Sequence, residues 1–223
     1  MKHYLLALAF GLVALLVPAI IRAQQMMIGV RGGVNLANQE FSLGTGDTAT
    51  IKPGLIAGGE LDYWLDSTWG LCLQALFDQK GAKSEKPMNP PFFYGIYIPA
   101  PSYWTRNYIE LPLFVKARFG IASWHPYIFA GPSIGLLLSN TEEFDYPTAH
   151  SYNITDSTKN IDFSVVAGAG IALTLPSDLQ LFVDASYAYG LTNSDNYYYD
   201  KSNGFNVYSR DIRLAAGILF PIH

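Results

Sequence analysis

Along most of this chain apolar and polar residues alternate with a period of two, the spacing that sends neighbouring side chains to opposite faces of a β-strand. From Tyr108 to Phe119 one parity holds Ile109, Leu111, Leu113, Val115, Ala117 and Phe119, and the other holds Glu110, Lys116 and Arg118. Leu61, Tyr63 and Leu65 oppose Glu60 and Asp62; Leu71, Leu73, Ala75 and Phe77 oppose Cys72, Gln74 and Asp78. Near the end, Leu181, Val183, Ala185, Tyr187 and Tyr189 oppose Gln180, Asp184 and Ser186, and Ile212, Leu214, Ala216, Ile218 and Phe220 oppose Asp211 and Arg213. At the start, Ile28, Val30 and Val34 oppose Arg31 and Asn35. Two further segments, Pro126–Leu138 and Phe163–Leu175, are apolar on both parities, with Gly and Ser as the small inward residues. The expected strands are Met27–Asn35, Gly54–Trp64, Gly70–Gln79, Asn107–Gly120, Pro126–Ser139, Asp162–Leu175, Leu179–Gly190 and Ser209–Phe220.

The connections alternate in length. Leu65–Thr68, Ile121–His125 and Pro176–Asp178 are short turns, whereas Ala37–Pro53, Gly81–Arg106, Asn140–Asn160 and Leu191–Tyr208 are long. An even number of antiparallel strands, tight at one end and long-looped at the other, predicts an all-β, eight-stranded, up-and-down transmembrane barrel over residues 24–223. Strands of about 10 residues, tilted, cross a hydrocarbon layer, and closure leaves no unpaired edge in lipid. A lipocalin-like soluble barrel would instead turn its apolar parity inward. Met1–Ala23 reads as a secretory signal peptide: Lys2 and His3, an apolar run from Tyr4 to Ile21, then a small residue at Ala23. Export and barrel together predict an outer membrane, with both ends of the mature chain on the periplasmic side.

Composition narrows the function classes. Only 14% of the residues are charged while 50% are hydrophobic, which excludes soluble disorder. A net charge of −4 gives no basic surface for phosphates, so no nucleic-acid partner is expected. The lone Cys72 forms neither an internal disulfide nor a multi-cysteine metal site and reads as an inert inward residue.

Aromatic residues gather near the expected strand ends, as interfacial girdles require. Tyr63, Trp64, Trp69, Phe119, Trp124 and Phe220 are placed at the short-turn end, and Trp104, Tyr108, Tyr187 and Tyr189 at the long-loop end.

The segment Tyr108-Ile-Glu-Leu-Pro-Leu-Phe-Val-Lys116 resembles a strand of the PorT-like outer-membrane β-barrel proteins of Bacteroidetes. Pro126–Gly135, Val166–Ile171, Tyr187–Leu191 and Leu214–Phe220 resemble that family's later strands. The resemblance implies an outer-membrane barrel of eight strands without assigned activity, with accessory work in protein secretion suggested by the namesake. The chain departs from the usual aromatic ending of such barrels, since Pro221-Ile-His223 follows Phe220.

Eight strands enclose a space that side chains fill. The inward parity supplies a lumen charge network of Arg31, Lys116, Arg118 and Arg213 with Glu60, Asp62, Asp78, Glu110, Asp184 and Asp211. A polar plug and a narrow proton or ion conduit are both compatible with that set. No catalytic constellation, cofactor or metal site is expected. His3 leaves with the signal peptide, His125 sits in a short turn, His150 beside Ser151 lies in a long loop, and His223 is terminal. Gly168-Ala-Gly170 lies within a strand and is no nucleotide loop. Asp47, Glu142, Glu143, Asp145, Asp195 and Asp200 lack the spacing of a calcium loop.

Loops over a rigid scaffold remain the place for function. Phe92, Phe93, Tyr94, Tyr97 and Tyr103 in one, and Tyr197, Tyr198 and Tyr199 in another, exceed what a solvated loop needs. They either cap the barrel or contact a protein, glycan or lipid head group. The expected partners are otherwise outer-membrane lipid alone, and the expected state is a monomer.

Overall fold

The computed structural model describes residues 25–41, 50–84, 102–120, 123–145, 149–155, 159–193 and 207–222. Met1–Ala23 lies outside them. The strands are β1 (Gln25–Phe41), β2 (Thr50–Trp64), β3 (Trp69–Ser84), β4 (Ser102–Arg118), β5 (Trp124–Asp145), β6 (Ala149–Asn153), β7 (Ile161–Thr174), β8 (Gln180–Gly190) and β9 (Val207–Ile222). Every pairing is antiparallel, and the ring is closed: β1 pairs with both β2 and β9, and β4 with both β3 and β5. The barrel is thus closed by eight strands, with β6 as a short addition.

Two features differ from the expectation. The strands run further at the long-loop end, β1 reaching Phe41, β3 Ser84 and β5 Asp145, while β2 and β4 begin at Thr50 and Ser102. Within the stretch expected as the loop Asn140–Asn160, residues 141–145 instead continue β5 and pair with β6, Thr141 facing Asn153 and Asp145 facing Ala149. Alternation marks where a strand has two unlike faces. Where both faces leave the apolar layer the signal vanishes, although the backbone ladder continues.

The turns follow from local chemistry. In the β2–β3 turn the Thr68 and Trp69 N–H groups donate to Asp66 Oδ1 at 2.6 and 2.7 Å, and these bonds hold the Asp66 carboxyl below its usual range. The β7–β8 turn places Asp178 at φ 59°, a left-handed conformation that a short polar side chain tolerates. Leu175 N–H donates to Leu179 O at 2.8 Å across it.

The parity of the strands separates two surfaces. Outward stand Val30 (59% exposed), Leu55 (63%), Leu113 (48%) and Val183 (55%), with many more of the same kind. Inward stand the charges and a cluster of Met27, Phe114, Phe129, Phe182 and Leu219. The interior is therefore not a purely polar plug, since apolar side chains share its short-turn half with the charges. Toward the long-loop end the outward parity turns polar: Gln79 donates to Asn107 at 3.2 Å, and Asn107 to Ser139 Oγ at 2.9 Å.

Bulky inward rings need space in so narrow a barrel, and glycines on the adjoining strand provide it. Phe129 pairs with Gly168 and Tyr127 with Gly170. A Cβ on Gly168 would lie 2.5 Å from Phe129 Cζ, and one on Gly170 2.5 Å from Tyr127 Cζ. The Gly168-Ala-Gly170 stretch is thus a pair of ring seats. Gly170→Val is expected to drive Tyr127 off its seat and lower stability by about 1–3 kcal/mol, measured as a shift of the urea unfolding midpoint in micelles.

Candidate functional site: the ion-paired interior

Among the described residues the buried charged side chains are Arg31, Lys80, Arg106, Lys116 and Arg213 with Glu60, Asp62, Asp78, Glu110, Asp162, Asp184 and Asp211. They fall into two layers. Nearer the short turns, Arg31 on β1 donates from Nη1 to Glu60 Oε2 at 2.8 Å and from Nη2 to Asp184 Oδ1 at 2.7 Å. Lys116 grips both oxygens of Asp62, at 3.0 and 2.7 Å. Neutral donors take part of the remaining acceptor capacity: Tyr127 OH donates to Asp184 Oδ2 at 3.0 Å and Gln74 to Glu60 Oε2 at 2.9 Å.

Nearer the long loops, Arg213 Nη2 bridges Asp78 Oδ2 at 2.7 Å and Glu110 Oε2 at 2.8 Å. Lys80 Nζ lies 2.5 Å from Glu110 Oε1, 3.1 Å from Asp162 and 3.6 Å from Asp211. Asn35 donates to Asp78 at 2.7 Å and Ser133 to Glu110 at 3.3 Å. These contacts join β1, β3, β4, β5, β7 and β9, so one cluster ties strands from around the ring. A buried charge survives only when it is paired and hydrogen-bonded, and here each bridging cation meets at least two carboxylates.

An inward charge lattice inside an outward apolar belt is the inverse of a soluble fold. The family model described as outer membrane protein beta-barrel domain matches residues 22–196. The chain belongs to this family. It is an outer-membrane β-barrel protein, and the apolar parity is its lipid-facing surface. Among solved structures it is similar in fold to OprG from Pseudomonas aeruginosa, at 14% identity and a TM-score of 0.48, covering 90% of this chain and 97% of that one. The N-terminal β-barrel domain of Pseudomonas aeruginosa OprF matches at 13% identity and a TM-score of 0.44, covering 89% and 98%. Ail of Yersinia pestis matches at 15% and 0.42, covering 88% and 100%. No curated protein matches the chain.

Within this outer-membrane barrel most of the expected lumen charges meet one another, but Arg118 does not join them. It stands half-buried at the short-turn rim, donating from Nε to Ser67 O at 3.1 Å and stacking 3.9 Å over the Trp64 ring. Lys80, Asp162 and Arg106 belong to the interior although the expected network omitted them. Lys80 and Arg106 share the parity of Asp78 and Glu110, and that signal could have found them.

Of the expected girdle, Trp69, Phe119, Trp124, Tyr187, Tyr189 and Phe220 are exposed outward, while Tyr63 and Trp104 are half-buried. Trp64 and Tyr108 are corrections: at 4% and 1% exposure they point into the barrel. Each shares its parity with a neighbouring carboxylate, Asp62 or Glu110, and that parity overrides its nearness to a strand end. Tyr108 lies under Lys80, with Nζ 5.0 Å from the ring centre.

Tyr103, expected in a loop, is part of β4 and pairs with Lys83, whose Nζ lies 5.7 Å from its ring. Phe92, Phe93, Tyr94, Tyr97, Tyr197, Tyr198 and Tyr199 lie outside the described residues. No group of three or more metal-ligating side chains occurs among the described residues. Cys72 is fully buried, 3.5 Å from Gln74 Nε2.

Proposed function

We propose that this protein is a non-conducting, non-enzymatic outer-membrane barrel that acts through what its long loops carry, with its short turns and both chain ends in the periplasm. The observation that carries the reading is the bridging of Asp78, Glu110, Asp162 and Asp211 by Arg213 and Lys80. A lumen crossed by short ion pairs resists hydrated ions, because each passage would separate buried charges. Closure leaves the eight-strand ring without a free edge, which supports a monomer surrounded by lipid. The aromatic stretches at Phe92–Tyr97 and Tyr197–Tyr199 are the candidate contacts for a protein, glycan or lipid head group.

No catalytic role is assigned. The described histidines stand apart, His125 at the short-turn end of β5 and His150 in β6 beyond its other end. The likeness of Tyr108–Lys116 to PorT-like proteins supports a narrower kinship with that group, and accessory work in secretion would follow from it.

Planar-bilayer recording tests the closed lumen. The purified barrel is expected to show no steady conductance at neutral pH. A steady conductance that disappears in Glu110→Gln would establish a narrow channel instead. For the loops, replacing Tyr197–Tyr199 by serine is expected to leave the unfolding temperature unchanged while abolishing binding to cell-envelope components. A lost unfolding temperature would make those tyrosines a structural cap.

A further inference from the structure

Below the ion-paired layers, at the short-turn end, the barrel opens into a hollow of about 670 Å³. Arg118, His125, Gln180, Thr174 and Gln25 line it. A cleft of about 10 Å³ shares Arg118, His125 and Gln180 with it and runs inward past Trp64 to Asp62 and Lys116, about the room of one oxygen or water. We propose that this hollow binds a small carboxylate, with Arg118 as the charge that receives it.

The fixing of Arg118 is the first support. Its guanidinium carbon lies 3.9 Å from the centre of the Trp64 ring, its Nε is tied to Ser67 O, and Nη1 reaches Gln25 Oε1 at 3.5 Å. A planar fork held in one orientation loses little entropy when an acid docks on it. Neither neighbouring acid forms an ion pair with it among the described residues: Asp62 gives both oxygens to Lys116, and Asp66 accepts the backbone N–H groups of its own turn at Oδ1. The positive charge at the rim is therefore not consumed by a carboxylate of its own, among the described residues.

Buried unpaired nitrogens are the second support. Trp64 is 4% exposed, and its Nε1–H has no acceptor among the described residues. His125 Nδ1 is likewise buried without a partner. Buried polar groups are seldom left unpaired, and here both belong to residues that line the cleft. One fixed guanidinium, one indole N–H and one imidazole match a planar monoanion. A phosphate dianion would call for a second cation at the rim. The volume of the hollow, about 670 Å³, admits a dipeptide-sized body behind the carboxylate.

The test uses the full mature chain folded in detergent micelles, with the Trp64 indole N–H followed by NMR. N-acetyl-alanyl-alanine and its C-terminal amide are the probes. The acid is expected to shift the Trp64 signal saturably, and the amide to leave it in place. Arg118→Gln is expected to weaken the acid by at least roughly tenfold, about 1.4 kcal/mol, while Arg118→Lys retains part of it and Lys83→Gln all of it. Heat-modifiable migration on gels verifies that each variant is folded. Should Arg118→Gln fail to fold, acid against amide in the unaltered protein still decides. No shift with the acid, an equal shift with the amide, or undiminished binding in folded Arg118→Gln would overturn the site. Silent bilayers do not bear on it, so it stands or falls apart from the closed-lumen reading.

Discussion

Arg213→Met is expected to destabilise the barrel by about 3–5 kcal/mol, the cost of leaving buried carboxylates without their cation. Arg213 is the contact that Asp78 and Glu110 share, at 2.7 and 2.8 Å, and it lies 4% exposed. Methionine fills much of its volume and returns none of its charge, so the loss measures electrostatics more than packing. Reversible urea unfolding in micelles gives the number. A second arm separates pairing from mere bulk. Adding Glu110→Gln and Asp78→Asn to Arg213→Met is expected to recover part of the loss, since the two carboxylates that the guanidinium had paired are then no longer charged. A change below about 1 kcal/mol for Arg213→Met would place the guanidinium in water, and with it the reading of a closed lumen would fail.

The second large effect concerns the other parity. Leu113→Arg, in the middle of β4 and 48% exposed, is expected to cost about 2–4 kcal/mol in lipid, the range for a cation at the hydrocarbon midplane of a barrel. The same substitution near the aromatic rim, Phe119→Arg, is expected to cost about 1 kcal/mol or less, because the side chain reaches the head groups. The depth dependence is the diagnostic. Equal costs at both positions would mean that the outward parity meets a uniform medium rather than a layered one.

Much of this architecture is written in the alternation itself. Ile109, Leu111, Leu113 and Val115 against Glu110 and Lys116 specify a strand with unlike faces, and the length of the connections orders the strands. The strand ends are harder to read, because at Lys80–Ser84 and Ser102–Arg106 both faces become polar or mixed. That is why Lys80, the hub of the upper ion cluster, and Arg106 escape a reading confined to the apolar stretch.

Trp64 and Tyr108 show a different failure. Both lie near strand ends, where aromatic residues favour the interface, but period two gives Trp64 the side of Asp62 and Tyr108 the side of Glu110. Geometry that is strict over a whole strand outweighs a preference that is only statistical. The seats of Tyr127 and Phe129 on Gly170 and Gly168 depend on cross-strand register. Register is a relation between two strands, which no local stretch of residues encodes. Arg118 has the inward parity but stands at the rim, where its long side chain lies across Trp64 instead of joining the ion-paired layers.

The most direct measurement is a spin-label scan of β4 in lipid bilayers, one cysteine at a time from Ile109 to Lys116 in a Cys72→Ser background. A period of two is expected: labels at positions 109, 111, 113 and 115 relaxed by oxygen dissolved in the acyl chains, and those at 110, 114 and 116 shielded from it. Labels at 110 and 116 that collide freely with lipid-dissolved oxygen, or a scan with no alternation, would contradict it.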